Sequence, residues 1–148
     1  MYYGMICRDG PVCLVKVTGN LNAMGYEDIL FDNLVPFLEQ HGHSDYIYQQ
    51  DNAPIHTANR LREFFFREGI QVLKWPAKSP DLNPIENLWG LMKVWIQKKG
   101  PKNLVELDKF VFEAFNELCT KEYCESLYNS VPKRLPMVIE NLGFRIKK

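Results

Sequence analysis

The chain has 148 residues, 46% hydrophobic and 13% aromatic, enough for one compact domain that buries about two thirds of the surface its unfolded form exposes. Eighteen basic residues balance eighteen acidic ones, which excludes a strong global field of either sign and leaves any contact with DNA to local patches. No apolar run approaches the roughly 20 residues of a membrane span, and the opening MYYGMICRDG lacks the basic start and apolar core of a signal peptide, so the expectation is a soluble, intracellular protein without a membrane partner.

The first elements are two β-favouring runs, Tyr2 to Cys7 and Val12 to Thr18. They are joined by Arg8-Asp9-Gly10, whose Asp-Gly pair suits the positive φ values of a tight hairpin turn. From Asn22 as N-cap, Tyr26, Ile29, Leu30, Leu34, Phe37 and Leu38 recur at helical spacing up to His41-Gly42, with Pro36 expected to kink the last turn. The HxH of His41 and His43 reads as a polar C-terminal turn rather than a metal site. Tyr46 to Gln50 is the next expected strand. A second helix starts at Thr57 or its neighbours, carries Leu61, Phe64 and Phe65 and stops at Gly69. Ile70 to Leu73 is a further short strand, and KWPAKSPDLNP (74–84) is a stiff, proline-rich loop leading to a third helix at Asn83. In that helix Ile85, Leu88, Trp89, Met92, Trp95 and Ile96 form an apolar stripe, so its tryptophans are first of all core. After Gly100-Pro101, helices are expected over Leu104 to Leu118 and around Leu127 and Val138. Cys7, Cys13, Cys119 and Cys124 form no CxxC pair and read as reduced packing thiols.

Two carboxylates stand at element ends. Asp51 closes a strand and opens a turn, where its side chain can bond the backbone two residues on. In Asn83-Pro84-Ile85-Glu86 an N-cap, a proline at the first helical position and an acid at the third make a capping box. Each acid alone is accounted for by turn or cap. Together, a strand-end acid and a helix-start acid are what metal-dependent phosphoryl chemistry requires, since two divalent ions about 4 Å apart need several carboxylates to hold them. Gly90, one turn beyond Glu86, leaves room beside that acid.

The stretches QDNAPIHTA and WPAKSPDLNPIENLWG resemble the catalytic domain of Tc/mariner superfamily DDE transposases, in the branch whose third acid is glutamate. The 34 residues between Asp51 and Glu86, positions 52 to 85, match the spacing of the family's second and third acids. GNLNAMGYEDILFDNLVPFL and NSVPKRLPMVIENLGF resemble the family's first catalytic-domain helix and its ending, so the resemblance covers nearly the whole chain. It implies an α/β, RNase H-like fold, a mixed sheet flanked by helices, as a single partial catalytic domain over 1–148 with C-terminal helices from about 103. It further implies Mg²⁺ or Mn²⁺ held by Asp51 and Glu86, motif positions at Asn52, His56, Asn83 and Trp89, DNA as substrate and partner, transposition and integration as the process, and a nuclear location.

The family's first Asp, on a strand upstream of the opening hairpin, has no counterpart here. Two acids then face the four positive charges of two divalent ions, so weak metal binding and no DNA cleavage by this chain alone are expected. The missing strand would leave sheet edges open to direct pairing, to a homodimer or to a partner strand. The helix-turn-helix modules of full-length relatives are also absent, so sequence-specific recognition is not expected. Lys93, Lys98, Lys99 and Lys102, and Lys133, Arg134, Arg145, Lys147 and Lys148, read as solvated faces. The alternative function is a domesticated, non-catalytic domain that binds nucleic acid or protein.

Overall fold

A computed structural model describes residues 1–76 and 79–141. The chain forms two compact units, one of Met1–Tyr3 with Val15–Ser79 and one of Gly4–Leu14 with Pro80–Lys148. The opening hairpin, β1 (Tyr2–Cys7) and β2 (Gly10–Lys16), contributes to both. Its turn is made at Arg8-Asp9, and Gly10 takes φ +139°, which L side chains rarely adopt and which explains the Asp-Gly pair. β1 and β2 form a two-stranded sheet.

In the first unit, α1 (Ala23–His41) begins where Asn22 Oδ1 accepts the Gly25 N–H at 2.9 Å and ends at Gly42, φ +95°. It runs through Pro36 to His41, whose Nδ1 lies 2.8 Å from the Phe37 carbonyl; the polar C-terminal turn is thus occupied by a local bond. α1 packs on α2 (Asn59–Arg67), burying Tyr26, Leu30, Leu34, Leu38, Leu61, Phe64 and Phe65. Glu27 of α1 pairs with Arg60 and Arg67 of α2 along the rim. The strands expected at Tyr46 to Gln50 and Ile70 to Leu73 shrink to one parallel bridge, Tyr48 to Val72, in which the Tyr48 N–H donates to Gln71 O and the Leu73 N–H donates to Tyr48 O, both at 2.8 Å. The β-favouring composition is real, but a ladder needs a partner at every second residue, and along these segments only this pair supplies one.

Three tyrosines tie this unit together. The Tyr48 hydroxyl lies 2.7 Å from that of Tyr3 and 2.7 Å from that of Tyr26, and Tyr26 donates to Gln50 Oε1 at 3.0 Å. Burial, followed by the neighbouring Tyr3 hydroxyl, pushes both Tyr26 and Tyr48 well above the ordinary tyrosine range, so the network is built from neutral hydroxyls. This side-chain link joins β1 to the Tyr46–Gln50 segment, where direct strand pairing was one of the expected alternatives.

In the second unit, α3 (Ile85–Lys99) buries Leu88 and Met92 on the expected stripe, with Trp89 and Trp95 half-buried beside them. The capping box expected at Asn83 and Glu86 does not form. Pro84 already has helical dihedrals (φ −58°, ψ −38°), no side chain caps the helix, and the Glu86 N–H bonds the Asn83 carbonyl at 3.2 Å. A proline in helical conformation carries Asn83 one residue too far out for its side chain to reach the free amides. The box appears instead on α4 (Leu104–Leu118), where Asn103 Oδ1 accepts the Glu106 N–H at 2.9 Å and Glu106 accepts the Lys102 N–H at 2.8 Å. α3 packs on α4, and Trp95 Nε1 donates to Glu117 at 3.0 Å.

The two C-terminal segments expected around Leu127 and Val138 are one helix, α5 (Lys121–Glu140), capped by Thr120 and containing Pro132 and Pro136. Arg134 is not a solvated cation: its Nη1 donates to Asp81 O at 3.1 Å and approaches Asn87 Oδ1 at 3.5 Å. Arg145, Lys147 and Lys148, the end of the NSVPKRLPMVIENLGF stretch, and Ala77 and Lys78 of the proline-rich loop lie outside the described residues. The cysteines pack as thiols: burial pushes Cys13 up to about 11 and raises Cys119 and Cys124, whose sulfurs are 3.5 Å apart.

Two tests follow from this packing. A Cβ on Gly4 would stand 2.8 and 2.9 Å from the Trp89 ring carbons Cζ2 and Cη2, so Gly4→Ala is expected to destabilise by about 1–3 kcal/mol in urea unfolding, with Trp89→Leu relieving much of the added cost. Tyr48→Phe removes the hydroxyl that meets those of both Tyr3 and Tyr26 and is expected to lose about 1–3 kcal/mol. Because folding raises the two tyrosines above their ordinary 10.0, their contribution is whole below that pH and falls as pH rises beyond it. The urea midpoint of the wild type is therefore expected to drop above pH 10 more steeply than that of Tyr48→Phe.

Candidate active site

Asp51 follows the Tyr48 bridge and starts the turn into α2. Its carboxylate is 62% exposed, and Oδ1 accepts two hydrogen bonds, from the Ala53 N–H at 3.0 Å and from His56 Nδ1 at 2.6 Å. The first is the turn bond expected of a strand-end acid. The second goes beyond a turn. A carboxylate only accepts, so the ring carries its proton on Nδ1 and leaves Nε2 as its open nitrogen. His56 is itself fixed three ways: its ring lies 4.3 Å from that of Tyr26, its N–H bonds Ala53 O at 2.9 Å, and its carbonyl accepts from Gln50 Nε2 at 3.1 Å. The Tyr3-Tyr48-Tyr26-Gln50 network therefore ends on the residue that holds Asp51. Asn52 turns the other way and donates to the Trp75 carbonyl at 2.8 Å, pinning the start of the proline-rich loop.

In the second unit, Glu86 projects from the first turn of α3 and is exposed, and among the described residues its carboxylate has no hydrogen-bond or ionic partner. Without the cap bond, nothing local holds it. No atom lies within 4 Å of a Cβ built on Gly90, so space is open one turn along. Trp89 packs its ring on Gly4 and is half-buried there, a packing role at the margin of the core formed by Leu88 and Met92. Asn83 serves through its backbone carbonyl.

The donor chemistry suits a hard divalent cation, which takes carboxylate oxygens. Asp51 keeps Oδ2 outside its two recorded bonds, and Glu86 offers both oxygens. Among the described residues no group of three or more His, Cys, Asp or Glu that could hold a metal ion is assembled. Sequence reasoning missed Tyr3, Tyr48 and Gln50 as supports of this corner. Their hydroxyl and amide partners are 22 to 45 residues apart for the tyrosine pairs, a separation that carries no local signal.

A family model described as DDE superfamily endonuclease matches residues 1–108, the stretch that contains Asp51, His56 and Glu86. The chain is 36% identical over 145 residues to the transposable element Tc3 transposase of Caenorhabditis elegans, covering 97% of this chain and 44% of that protein. It thus spans less than half of that relative's length. Among solved structures, the Mos1 transposase catalytic domain with raltegravir and Mg superposes with a TM-score of 0.79 at 25% identity, covering 95% of this chain and 73% of the other. A mariner Mos1 paired-end complex with Mg matches at a TM-score of 0.81 and 23% identity over 95% of this chain and 42% of the other, a likeness of fold. The family match over most of the chain, the Tc3 likeness and the Mos1 superposition agree with the double motif: the chain belongs to the DDE superfamily endonucleases, in their Tc/mariner transposase branch, and has their RNase H-like α/β fold.

Proposed function

We propose that the chain carries part of the catalytic machinery of a transposase that cuts and joins DNA phosphodiesters with Mg²⁺ or Mn²⁺, and that Asp51 and Glu86 are two of its metal ligands. The observation that carries this reading is the Asp51 corner: a largely exposed carboxylate, held through one oxygen by a histidine and a backbone amide, inside the stretch matched by the family. A turn former needs the Ala53 amide alone, whereas the His56 bond fixes the carboxylate plane and lowers the reorganisation needed to bind a cation. The Mos1 structures solved with Mg support the choice of metal, and the paired-end complex supports DNA and a second copy of the chain as partners. A nuclear location is part of the same proposal, since that is where chromosomal DNA lies.

When bound, divalent ions supply charge neutralisation at the phosphodiester and activate the attacking oxygen. The chain's own residues do the positioning. His56 donates to Asp51 Oδ1 and leaves Oδ2 outside that bond, Tyr26 holds the imidazole by ring contact, and Gln50 holds the His56 backbone. Glu86 stands on the rigid first turn of α3, which Trp89 anchors against Gly4. Two carboxylates set two negative charges against the four positive ones of two ions, so these 148 residues by themselves bind metal weakly and leave DNA uncut.

Manganese titration of the 148-residue protein, followed by the loss of the free-ion paramagnetic resonance signal, tests the ligand assignment. Asp51→Asn and Glu86→Gln are each expected to weaken binding by at least about tenfold, and His56→Ala by a similar factor. His56→Asn, which keeps a short N–H donor, is expected to recover part of it. Unchanged affinity in both acid variants would overturn the assignment and leave a non-catalytic binding domain. Incubated with supercoiled DNA and either metal, the wild-type chain is expected to yield no nicked or linear product; nicking that Asp51→Asn abolishes would refute the charge argument.

A further inference from the structure

The second half of α5 buries little apolar surface. The buried residues of the helix, Cys124 and Leu127, lie before Pro132, and most positions from Pro132 to Asn141 are exposed, Leu135, Met137 and Ile139 among them. Val131, Arg134 and Val138 are half-buried and fall on one helix face. On that face the polar contact is made by Arg134.

Arg134 reaches the start of α3 on both sides of Pro84. Its Nη1 donates to the Asp81 carbonyl at 3.1 Å and lies 3.5 Å from Asn87 Oδ1. Asp81 and Leu82, both buried, are the central residues of a turn closed by the Asn83 N–H on the Pro80 carbonyl at 3.3 Å. Asn87 stands in the first turn of α3 next to Glu86, and its N–H bonds the Pro84 carbonyl at 3.1 Å. One guanidinium thus ties the turn that delivers the chain to the helix turn that carries the acid. The helix begins on a proline with no side-chain cap, so its entry angle is left to tertiary contacts of this kind. A guanidinium suits the task, because its donors lie in one plane and fix the angle between two acceptors as well as the distance.

We infer that Arg134 is a positioning residue for Glu86: it holds the 80–83 turn against the first turn of α3 and so keeps the Glu86 carboxylate where a divalent ion can use it. The inference rests on the reading of Glu86 as a metal ligand. An arginine that merely fastened α5 would need one acceptor anywhere on the fold, whereas these two flank Pro84 and the second adjoins the acid. Trp89, packed on Gly4, supports the same helix one turn on, so Glu86 stands between a hydrogen-bonded support before it and a packed one after it.

The test has a metal-free arm and a metal arm, both on the 148-residue protein. Amide hydrogen exchange is followed by NMR without metal in the wild type, in Arg134→Met, which keeps an apolar stem and loses the donors, and in Arg134→Lys, which keeps a charged donor. Arg134→Met is expected to speed exchange of the Glu86 and Asn87 amides at least about tenfold while the α4 amides change less than about twofold. Manganese affinity is then read by paramagnetic resonance. Arg134→Met is expected to weaken it about three- to tenfold, and to cause no further loss in a Glu86→Gln background. Arg134→Lys is expected to recover part of both effects. Unchanged exchange at Glu86 and Asn87, or equal acceleration in α3 and α4, would overturn the role whatever the metal does. Faster local exchange with unchanged manganese affinity, where Glu86→Gln itself binds more weakly, would reduce Arg134 to a fastening of α5 and leave the ligand assignment intact. A further loss on adding Arg134→Met to Glu86→Gln would equally refute action through Glu86. If Glu86→Gln binds manganese as the wild type does, the ligand assignment falls first and the positioning role falls with it.

Discussion

The Tyr48 hydroxyl is the point on which the first unit depends. A buried hydroxyl left without partners costs about 1–3 kcal/mol, and this one is satisfied from two sides, by Tyr3 of the hairpin and Tyr26 of α1, each at 2.7 Å. Through Gln50 the same chain of bonds reaches the backbone of His56, and His56 holds Asp51. A polar network therefore substitutes for the backbone ladder that the β-favouring segments of this region do not complete. Every member is a neutral group with a partner, the condition under which such a network rigidifies rather than destabilises.

The second unit is organised by a close approach instead. Trp89 comes so near Gly4 that a methyl group would not fit between them, which fixes the position of the first turn of α3 against the hairpin backbone. That turn carries Glu86. The two acids are thus supported by unlike means, one by hydrogen bonds on a loop corner and one by rigid packing behind a helix start. A residue on a helix start needs no partner of its own to be well placed, and this accounts for a Glu86 side chain without local bonds where the Asp51 side chain has two.

Helices were largely legible, for a local reason. The stripe from Tyr26 to Leu38, the Asn22 and Gly42 ends of α1, and the full extent of α4 follow from periodicity and caps that lie within a few residues of one another. Strands were less so, because Tyr46 to Gln50 and Ile70 to Leu73 depend on a partner distant in sequence, and only Tyr48 and Val72 found one. The capping box was read at Asn83 and formed at Asn103. Both stretches contain Asn and, three residues on, Glu, and what separates them is a proline whose helical dihedrals shift the helix start.

By itself the sequence determined the family, through the paired motifs around Asp51 and Glu86 and the 34 residues between them, and it determined which segments are helical. Tertiary structure alone decided what each acid touches. It showed that Asp51 is a turn former and a histidine-held carboxylate at once, that Glu86 is released from a cap, and that Arg134 bonds a backbone carbonyl. The physical reason is range: periodicity and capping act over one or two helical turns and leave a trace in the order of residues. Hydroxyl pairs and ring contacts join residues tens of positions apart and exist only once the chain has folded.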